Sequence, residues 1–271
     1  MNGTARARGM VQATSGACTQ AGWRGAPIRV SLRPEEDTPR MIDKFVRSMA
    51  EAMDGIRDGS TILIPGFGEV GTPRALIDAL IEQGATNLTL VINATGKPRS
   101  AEPATGIPRL IELGRVKKVI TSFVRAASIC GEMVRDGKMV AEVIPQGTLA
   151  ERIRAAGAGI PAFFTPTGAN TLIAEGKEVR DYGGRPCILE EALPGDVALI
   201  EAWMADRWGN LMFRDSSRNF NPIMAMAGRL TIVQTHHVCD LGQLTAETIV
   251  TPGIFVDRVL HVQGGNPTLP R

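Results

Sequence analysis

The residues best suited to chemistry in this chain are three glycines that follow a short apolar run, in the segment TILIPGFGEVGTP of residues 61–73. The run TILI predicts a buried strand, and Gly66, Gly68 and Gly71 permit a tight turn. Because a helix is predicted next, the loop amides and the helix N-terminus would form a concave site for an anionic group such as a phosphate. The pattern G-x-G-x-x-G is common by chance, so a turn in which the glycines only relieve backbone strain explains it equally well.

Two familiar phosphate-binding motifs do not fit this loop. A dinucleotide-binding fold carries an acidic residue about 20 residues further on, at the end of the second strand. The second apolar run here, Leu88–Ile92, ends at Asn93 instead. A P-loop is excluded because Gly71-Thr72-Pro73 stands where that loop needs Gly-Lys-Ser or Gly-Lys-Thr.

Composition argues against nucleic acid, metal and membrane as partners. The 271 residues include 30 Lys and Arg against 28 Asp and Glu, a net charge of +2 without a dense basic block. No cysteine or histidine spacing matches a zinc site, and no run of about 18 apolar residues occurs. The absence of Cys-x-x-Cys pairs predicts a reduced, cytoplasmic location. The cysteines are Cys18, Cys130, Cys187 and Cys239.

The two ends of the chain differ from its middle. Residues 1–40 show neither helical nor strand periodicity, which predicts a disordered extension or a start codon assigned upstream of Met41. Residues 263–271 are predicted to be a tail. A single domain is therefore expected over residues 41–262.

Within that domain, apolar periodicity alternates between helices and strands. The predicted helices are Met41–Ile56, Leu76–Ile81 and Ile107–Leu113, with another inside residues 145–168 that is capped by Thr148 and Glu151. The predicted strands are Thr61–Ile64, Leu88–Ile92, Val116–Phe123, Val140–Ile144, Val197–Glu201, Leu230–Gln234 and Ile254–Val262. Turn signals at residues 182–184 and 208–210 predict hairpins. The alternation indicates an α/β fold with a largely parallel sheet covered on both faces.

Three further segments are unusual for a generic core: PQGTLAERIRAAGAGIPAFFTPTG at residues 145–168, DRWGNLMFRDSSRNFNP at residues 206–222, and TPGIFV at residues 251–256. Together with the glycine loop, they closely resemble the alpha subunit of the family I CoA-transferases, which move coenzyme A between carboxylic acids. The resemblance extends from about residue 41 to about residue 262. It implies a three-layer α/β fold with an open, mostly parallel sheet related to the Rossmann fold.

The same resemblance implies where the chemistry takes place. Residues Pro65, Gly66, Phe67, Gly68, Glu69, Val70 and Gly71 would form the coenzyme A binding segment. The family's nucleophile is a glutamate in a Ser-Glu-Asn-Gly segment of the beta subunit, and no Glu-Asn-Gly occurs in this chain. The chain is therefore expected to be inactive alone and to form a heterodimer or α2β2 heterotetramer with the CoA-transferase beta subunit. No metal or redox cofactor is expected, since coenzyme A is a substrate.

Two polar residues are expected in the pocket by the same likeness. Gln146 matches a glutamine that donates its amide to the developing oxyanion, although satisfying a turn is the simpler reading from sequence alone. Asn93 matches the first asparagine of a pair, whose second position is Ala94 here. Gly157 and Gly159 either let the backbone approach the site or only end a helix.

The substrates implied are succinyl-CoA and a 3-oxo acid, with 3-oxoadipate of the β-ketoadipate pathway of aromatic catabolism preferred over acetoacetate. A non-catalytic protein that binds coenzyme A or a phosphorylated metabolite remains the alternative.

Other reactive side chains receive simpler interpretations. His236 and His237 are expected just past a strand, at the surface or in packing, because no Asp or Ser is near them in sequence. Cys130 and Cys239 are expected to be small buried hydrophobic residues. Arg214 and Arg218 would bind a carboxylate or the partner subunit.

Overall fold

The protein is built around one large, nearly all-parallel sheet. The computed structural model describes residues 41–96, 100 and 102–262, so the predicted N-terminal extension and C-terminal tail lie outside the described residues. The strands of this sheet are β1 (Thr61–Ile64), β2 (Leu88–Ala94), β3 (Val116–Phe123), β4 (Val140–Val143), β8 (Gly195–Asp206), β9 (Leu211–Met212), β10 (Gly228–Cys239) and β11 (Arg258–His261). A smaller sheet contains β5 (Ala162–Thr165), β6 (Val179–Asp181) and β7 (Pro186–Glu191).

The strand order places β1 at the centre of the large sheet. The order is β11-β10-β8-β1-β2-β3-β4, and each neighbouring pair along it is parallel, while β9 pairs antiparallel with β8. The chain moves from β1 outward to β4 and later returns to add β8, β10 and β11 on the other side. Such a reversal opens a crevice at the carboxyl ends of the central strands. The glycine loop follows β1 directly at this position.

Helices cover both faces of the sheet and produce three layers. They are α1 (Met49–Met53), α2 (Arg74–Gln83), α3 (Gly106–Glu112), α4 (Ile129–Arg135), α5 (Gln146–Gly157) and α6 (Asn221–Ala227). Ile62 and Ile64 of β1 pack with α1 to α4, whereas Leu63 packs on the opposite face with α5 and α6. This alternation follows from the two-residue period of a strand. The predicted three-layer α/β class is confirmed.

The smaller sheet is antiparallel and leans on α5. Its order is β5-β7-β6, and the turn between β6 and β7 is closed by hydrogen bonds between Tyr182 and Arg185. Arg152 of α5 donates from Nε to the carbonyl of Glu191 in β7 at 2.7 Å, which connects the small sheet to α5. Both predicted hairpins are present, but the one at residues 182–184 belongs to this separate sheet.

Several predicted element boundaries are wrong. The helix predicted over Met41–Ile56 is only Met49–Met53, because Val46 and Lys44 make backbone hydrogen bonds to Val259 of β11 instead. The strand predicted over Ile254–Val262 starts at Arg258, after a single 3-10 turn at Gly253–Phe255. Helix α5 begins at Gln146 and so includes Thr148, which is not its cap.

The predicted bounds of β8 and β10, the long strands on the returning side of the sheet, are also wrong. Both run well beyond their predicted ends, to Asp206 and Cys239, because they pair with each other along nearly their whole length. His236 and His237 therefore lie inside β10. In the described part of the chain, no helix is long and apolar enough to cross a membrane.

Candidate active site

The glycine loop is a tight turn at the carboxyl end of β1. Phe67 and Val70 exchange two backbone hydrogen bonds of 3.0 and 3.3 Å, which places Gly68 and Glu69 at the tip. Gly66, Gly68 and Gly71 all have positive φ, of 136°, 66° and 70°. These values explain why glycine occupies the three positions, since other residues rarely adopt them.

Two asparagines from residues 218–222 form hydrogen bonds to the backbone of the glycine loop. Asn219 accepts a hydrogen bond from the Gly66 amide and donates one to the Val70 carbonyl, each 3.1 Å long. Asn221 is fully buried and donates to the Gly71 carbonyl at 3.0 Å. A Cβ at Gly71 would collide with the Asn219 side chain and with the Ser217 carbonyl. The sequence marked this segment as unusual, but its contact with the glycine loop appears only in three dimensions.

These contacts leave a smaller anion site than the sequence alone suggests. The amides of Gly66, Phe67 and Val70 donate to Asn219, Val70 and Phe67, respectively. Those of Gly68 and Gly71 have no acceptor within the described residues. The Glu69 carboxylate forms an ion pair with Arg74 at the start of α2. Gly68 is exposed and lines the cavity, whereas Gly71 is buried behind the loop. The loop can therefore present the Gly68 amide to a ligand, with an arginine close by.

Asn93 and Gln146, which the family resemblance placed in one pocket, contact each other, but neither lines the cavity beside the glycine loop. Asn93 is the penultimate residue of β2 and is 5% exposed. Its Oδ1 accepts hydrogen bonds from Gln146 Nε2 at 2.6 Å and from Ser122 Oγ at 2.9 Å. Gln146 is exposed as the first residue of α5. Because an amide nitrogen carries two hydrogens, Gln146 retains one N–H for a ligand.

A cavity of about 800 Å³ opens beside the loop. Its walls come from the tip of the loop, the start of α2, the end of β2 and α3, and its floor comes from β10. Residues that line it include Gly68, Arg74, Ala94, Pro108, Gln234 and His236. This volume is large enough for a small organic ligand.

His236, which lines the floor of the cavity, contacts a buried glutamate that sequence spacing did not reveal. Glu201 of β8 and His236 of β10 are each 2% exposed in their side chains, with Oε1 and Nε2 3.1 Å apart. Within the described residues, Glu201 Oε2 and His236 Nδ1 have no hydrogen-bond partner. The neighbouring His237 is exposed and packs against Trp203, with ring centroids 4.3 Å apart. Pairing of β8 with β10 is what brings Glu201 to His236, so their separation in sequence hid the contact.

The remaining candidates have structural partners. Burial raises the pKa of the Cys130 thiol, which keeps it protonated and confirms it as a buried hydrophobic residue. Cys239 is only half-buried; burial also raises the pKa of its thiol, and Asp206 and Asp240 add to the rise. Arg214 stacks on Trp203 at 4.6 Å, while Arg218 is exposed and its role stays a prediction. No cluster of three or more metal-binding side chains occurs among the described residues.

The two glycines near the end of α5 serve packing and helix termination. A Cβ at Gly157 would approach the Met226 Cβ to 2.6 Å, so glycine allows α5 to pack closely on α6. Gly159 has a φ of 70° and open space around it, as expected just past a helix end.

The segments DRWGNL and TPGIFV interlock with each other. Asp206 accepts hydrogen bonds from the amides of Trp208 and Asn210, and Asn210 Oδ1 accepts one from the Gly253 amide at 2.8 Å. A Cβ at Gly253 would collide with the Trp208 carbonyl. Residues 206–210 and 251–256 therefore pack directly against each other, and this contact is called the joint.

The chain is similar to coenzyme A transferases over most of its length. A family model described as coenzyme A transferase matches residues 46–261. The alpha subunit of the 3-oxoadipate CoA-transferase of Pseudomonas putida is 51% identical over 226 residues, which are 83% of this chain and 96% of that protein. The alpha subunit of a probable succinyl-CoA:3-ketoacid coenzyme A transferase of Bacillus subtilis is 45% identical over 217 residues, 80% of this chain and 89% of that protein.

Solved structures show the same fold at lower identity. An acyl-CoA transferase of Escherichia coli O157:H7 superimposes with a TM-score of 0.70 at 22% identity, over 81% of this chain and 47% of that longer chain. The glutaconate coenzyme A-transferase of Acidaminococcus fermentans gives a TM-score of 0.69 at 19% identity, over 80% and 75% of the two chains.

Proposed function

Because this chain belongs to the coenzyme A transferase family, as an alpha subunit, we propose that it supplies half of an active site that transfers coenzyme A from succinyl-CoA to 3-oxoadipate. The beta subunit supplies the nucleophilic glutamate. The observation that supports this assignment is the grouping at one sheet edge of the glycine loop, the 800 Å³ cavity and the Asn93–Gln146 pair. The glycine loop holds coenzyme A, and the cavity beside it receives the acyl group.

The reaction follows from a carboxylate nucleophile in the beta subunit. Its attack on the thioester carbonyl of succinyl-CoA expels the thiolate of coenzyme A and forms a mixed anhydride. The thiolate then attacks the glutamyl carbonyl, which releases succinate and leaves a glutamyl-CoA thioester. The acceptor carboxylate repeats these two steps in reverse order and restores the glutamate. All bonds exchange between carboxyl groups and one thiol, so neither a metal nor a redox cofactor enters the scheme.

Gln146 has a specific role in this scheme. Each attack turns a planar carbonyl into a tetrahedral centre whose oxygen becomes negative. The free N–H of Gln146 donates to that oxygen, while the hydrogen bond of 2.6 Å to Asn93 fixes the orientation of the amide. Asn93 is itself fixed by Ser122 at 2.9 Å.

The acceptor acid is proposed from the relatives. One relative acts, by its name, on 3-oxoadipate at 51% identity, whereas a 3-ketoacid relative is 45% identical. Acetoacetate is the competing acceptor. Assembly as a heterodimer or α2β2 heterotetramer follows from the need for a partner nucleophile. Action within the β-ketoadipate pathway follows from this acceptor. A cytoplasmic location is proposed from the cysteine pattern.

Co-expression with the beta subunit encoded by the same organism tests the proposal. We expect this chain alone to be inactive and the purified pair to exchange coenzyme A between succinyl-CoA and 3-oxoadipate, with a lower kcat/KM for acetoacetate. Mass spectrometry of the pair incubated with succinyl-CoA should show the covalent coenzyme A adduct on the beta subunit. A pair that binds coenzyme A without any exchange would exclude the enzymatic function.

The Gln146→Ala variant tests the oxyanion contact. We expect kcat to fall about a hundredfold, as for loss of one oxyanion donor, with unchanged assembly. Gln243→Ala is the matched control, because Gln243 is exposed and only accepts a hydrogen bond from the Asp240 amide. Equal activity of both variants would remove Gln146 from the mechanism.

A further inference from the structure

Residues 214–222 are conspicuous in sequence, yet the proposed function gives them no role. They contain the two asparagines that contact the glycine loop, about 150 residues earlier in the chain. We infer that Asn219 is a positioning residue for coenzyme A transfer, which sets the loop in the conformation that binds the CoA thioester. This inference rests on the proposed function of the glycine loop.

The side chain of Asn219 bridges the two ends of the loop. Its Oδ1 accepts from the Gly66 amide and its Nδ2 donates to the Val70 carbonyl, at 3.1 Å each. Those atoms flank the tip formed by Gly68 and Glu69. One amide group therefore closes the loop from outside, in addition to the Phe67–Val70 backbone pair.

The asparagine is itself firmly anchored. Its Nδ2 also lies 3.0 and 3.2 Å from the carbonyl oxygens of Ser216 and Ser217. Next to it, the fully buried Asn221 joins the Gly71 carbonyl to the Glu201 amide of β8, at 3.0 and 2.8 Å. The support for the loop thus extends into a central strand of the sheet.

Only an amide of this length satisfies both contacts. The Gly66 amide needs an acceptor and the Val70 carbonyl needs a donor, and an amide side chain offers both. An aspartate keeps the acceptor but sets a carboxylate oxygen against three carbonyl oxygens. An alanine leaves the Gly66 amide without its acceptor and removes one of the two donors to the Val70 carbonyl, which keeps the Phe67 amide.

The consequence concerns binding more than chemistry. The exposed Gly68 amide, which lines the cavity, lies between the two loop atoms that Asn219 binds. When the loop is already ordered, coenzyme A binds without the entropic cost of ordering it. Loss of the clamp weakens the thioester in the ground state and the transition state alike, which raises KM and leaves kcat nearly unchanged.

The experiment uses the complete complex of both subunits and the variants Asn219→Ala and Asn219→Asp. We expect the KM for succinyl-CoA to rise about tenfold to a hundredfold in both, with kcat within about threefold of wild type. Hydrogen–deuterium exchange should show faster exchange across residues 66–71 in the variants. Asn170→Ala is the matched control, since Asn170 is exposed in the turn after β5, and should change neither quantity.

The outcomes separate this inference from the proposed function. If coenzyme A fails to protect residues 66–71 from exchange in the wild-type complex, the loop is not the coenzyme A site and the proposed function fails. If wild type is protected and the Asn219 variants lose thermal stability but keep the wild-type KM and loop exchange, Asn219 is only structural and the inference is overturned. Should Asn219→Ala not fold, Asn219→Asp supplies the same readouts.

Discussion

Two glycine-containing turns at the carboxyl edge of the sheet are both held by asparagine side chains. They differ in whether hydrogen-bonding groups remain free beside a cavity. At the glycine loop, Asn219 and Asn221 bind the backbone around three positive-φ glycines. At the joint between residues 206–210 and 251–256, Asn210 binds the Gly253 amide at 2.8 Å. In both places an asparagine side chain supplies hydrogen bonds that no helix or strand provides.

The difference lies in what remains unsatisfied. The joint uses most of its polar groups internally: Asp206 receives two amides and the Asn210 side chain, and the Thr251 backbone pairs with Leu211. The buried Thr251 hydroxyl has no partner within the described residues, but it does not line the cavity. The glycine loop leaves the exposed Gly68 amide without an acceptor in the described part of the chain, at the wall of a cavity of about 800 Å³. Unusual sequence therefore occurs both where it stabilises the fold and where it forms a site. Free hydrogen-bonding groups beside a cavity distinguish the functional turn from the structural one.

The largest contrast should come from adding one methyl group to each turn. Gly71→Ala places a Cβ against Asn219 and the Ser217 carbonyl at a φ of 70°, and Gly253→Ala places one against the Trp208 carbonyl. We expect each to lower the free energy of unfolding by roughly 1–3 kcal/mol, measured by urea denaturation.

The two variants should differ in activity. The complex with Gly71→Ala should lose most of its kcat/KM for succinyl-CoA at temperatures where it is folded, whereas Gly253→Ala should keep wild-type kinetics. Equal kinetic damage by both substitutions would contradict the division into a functional and a structural turn.

An intermediate effect is expected from Asn210→Ala. The change removes the acceptor of the amide of the buried Gly253 and a donor to Asp206, which should cost roughly 1–3 kcal/mol of stability. KM for succinyl-CoA should not change, in contrast to Asn219→Ala. Thermal melts and initial rates on the same preparations give both numbers, and a raised KM for Asn210→Ala would show that the joint communicates with the site.

The smallest effect should come from a site away from both turns, at the edge strand that leads to Gln146. Glu142 of β4 pairs with Lys118 at 2.6 Å and Arg152 at 3.3 Å. Burial is the largest single influence on the pKa of Glu142 and raises it, but the two cations together outweigh burial and the pKa is lowered. Its side chain is 35% exposed, so solvent screening limits the contribution.

The sign of the pH dependence follows from that lowered pKa. The stabilisation is fully present above the unfolded-state pKa of about 4.3 and is lost as pH falls through the lower folded-state value. Glu142→Gln should therefore cost less than about 1 kcal/mol at pH 7, and the difference from wild type should shrink as the pH falls below the unfolded-state pKa and through the lower folded-state pKa. A difference that is constant with pH would exclude an ionic origin.

Much of the fold could be predicted because it depends on local patterns. Strands β1 and β3 have their predicted bounds, and β2 continues slightly beyond its predicted end at Ile92, to Ala94. The prediction failed where pairing with a distant segment decided the outcome. Residues 44–46 have helical periodicity, yet they pair with Val259 of β11, and β8 and β10 lengthen because they pair with each other.

The candidate site divides in the same way. The glycine loop was found because glycine is the residue that adopts positive φ, and this requirement is written at single positions. The Asn93–Gln146 contact was expected only through the family resemblance. The Glu201–His236 pair was missed because neighbouring parallel strands bring together residues 35 positions apart.

By itself, the sequence determined the layer order, the position of the glycine loop after a central strand, and the absence of a Glu-Asn-Gly segment, because period, backbone freedom and composition are local properties. Only the tertiary structure decided that the asparagines near residue 220 hold that loop and which of its glycine amides stay free. The physical reason is that a hydrogen bond between distant segments depends on strand order and register, which no local pattern specifies.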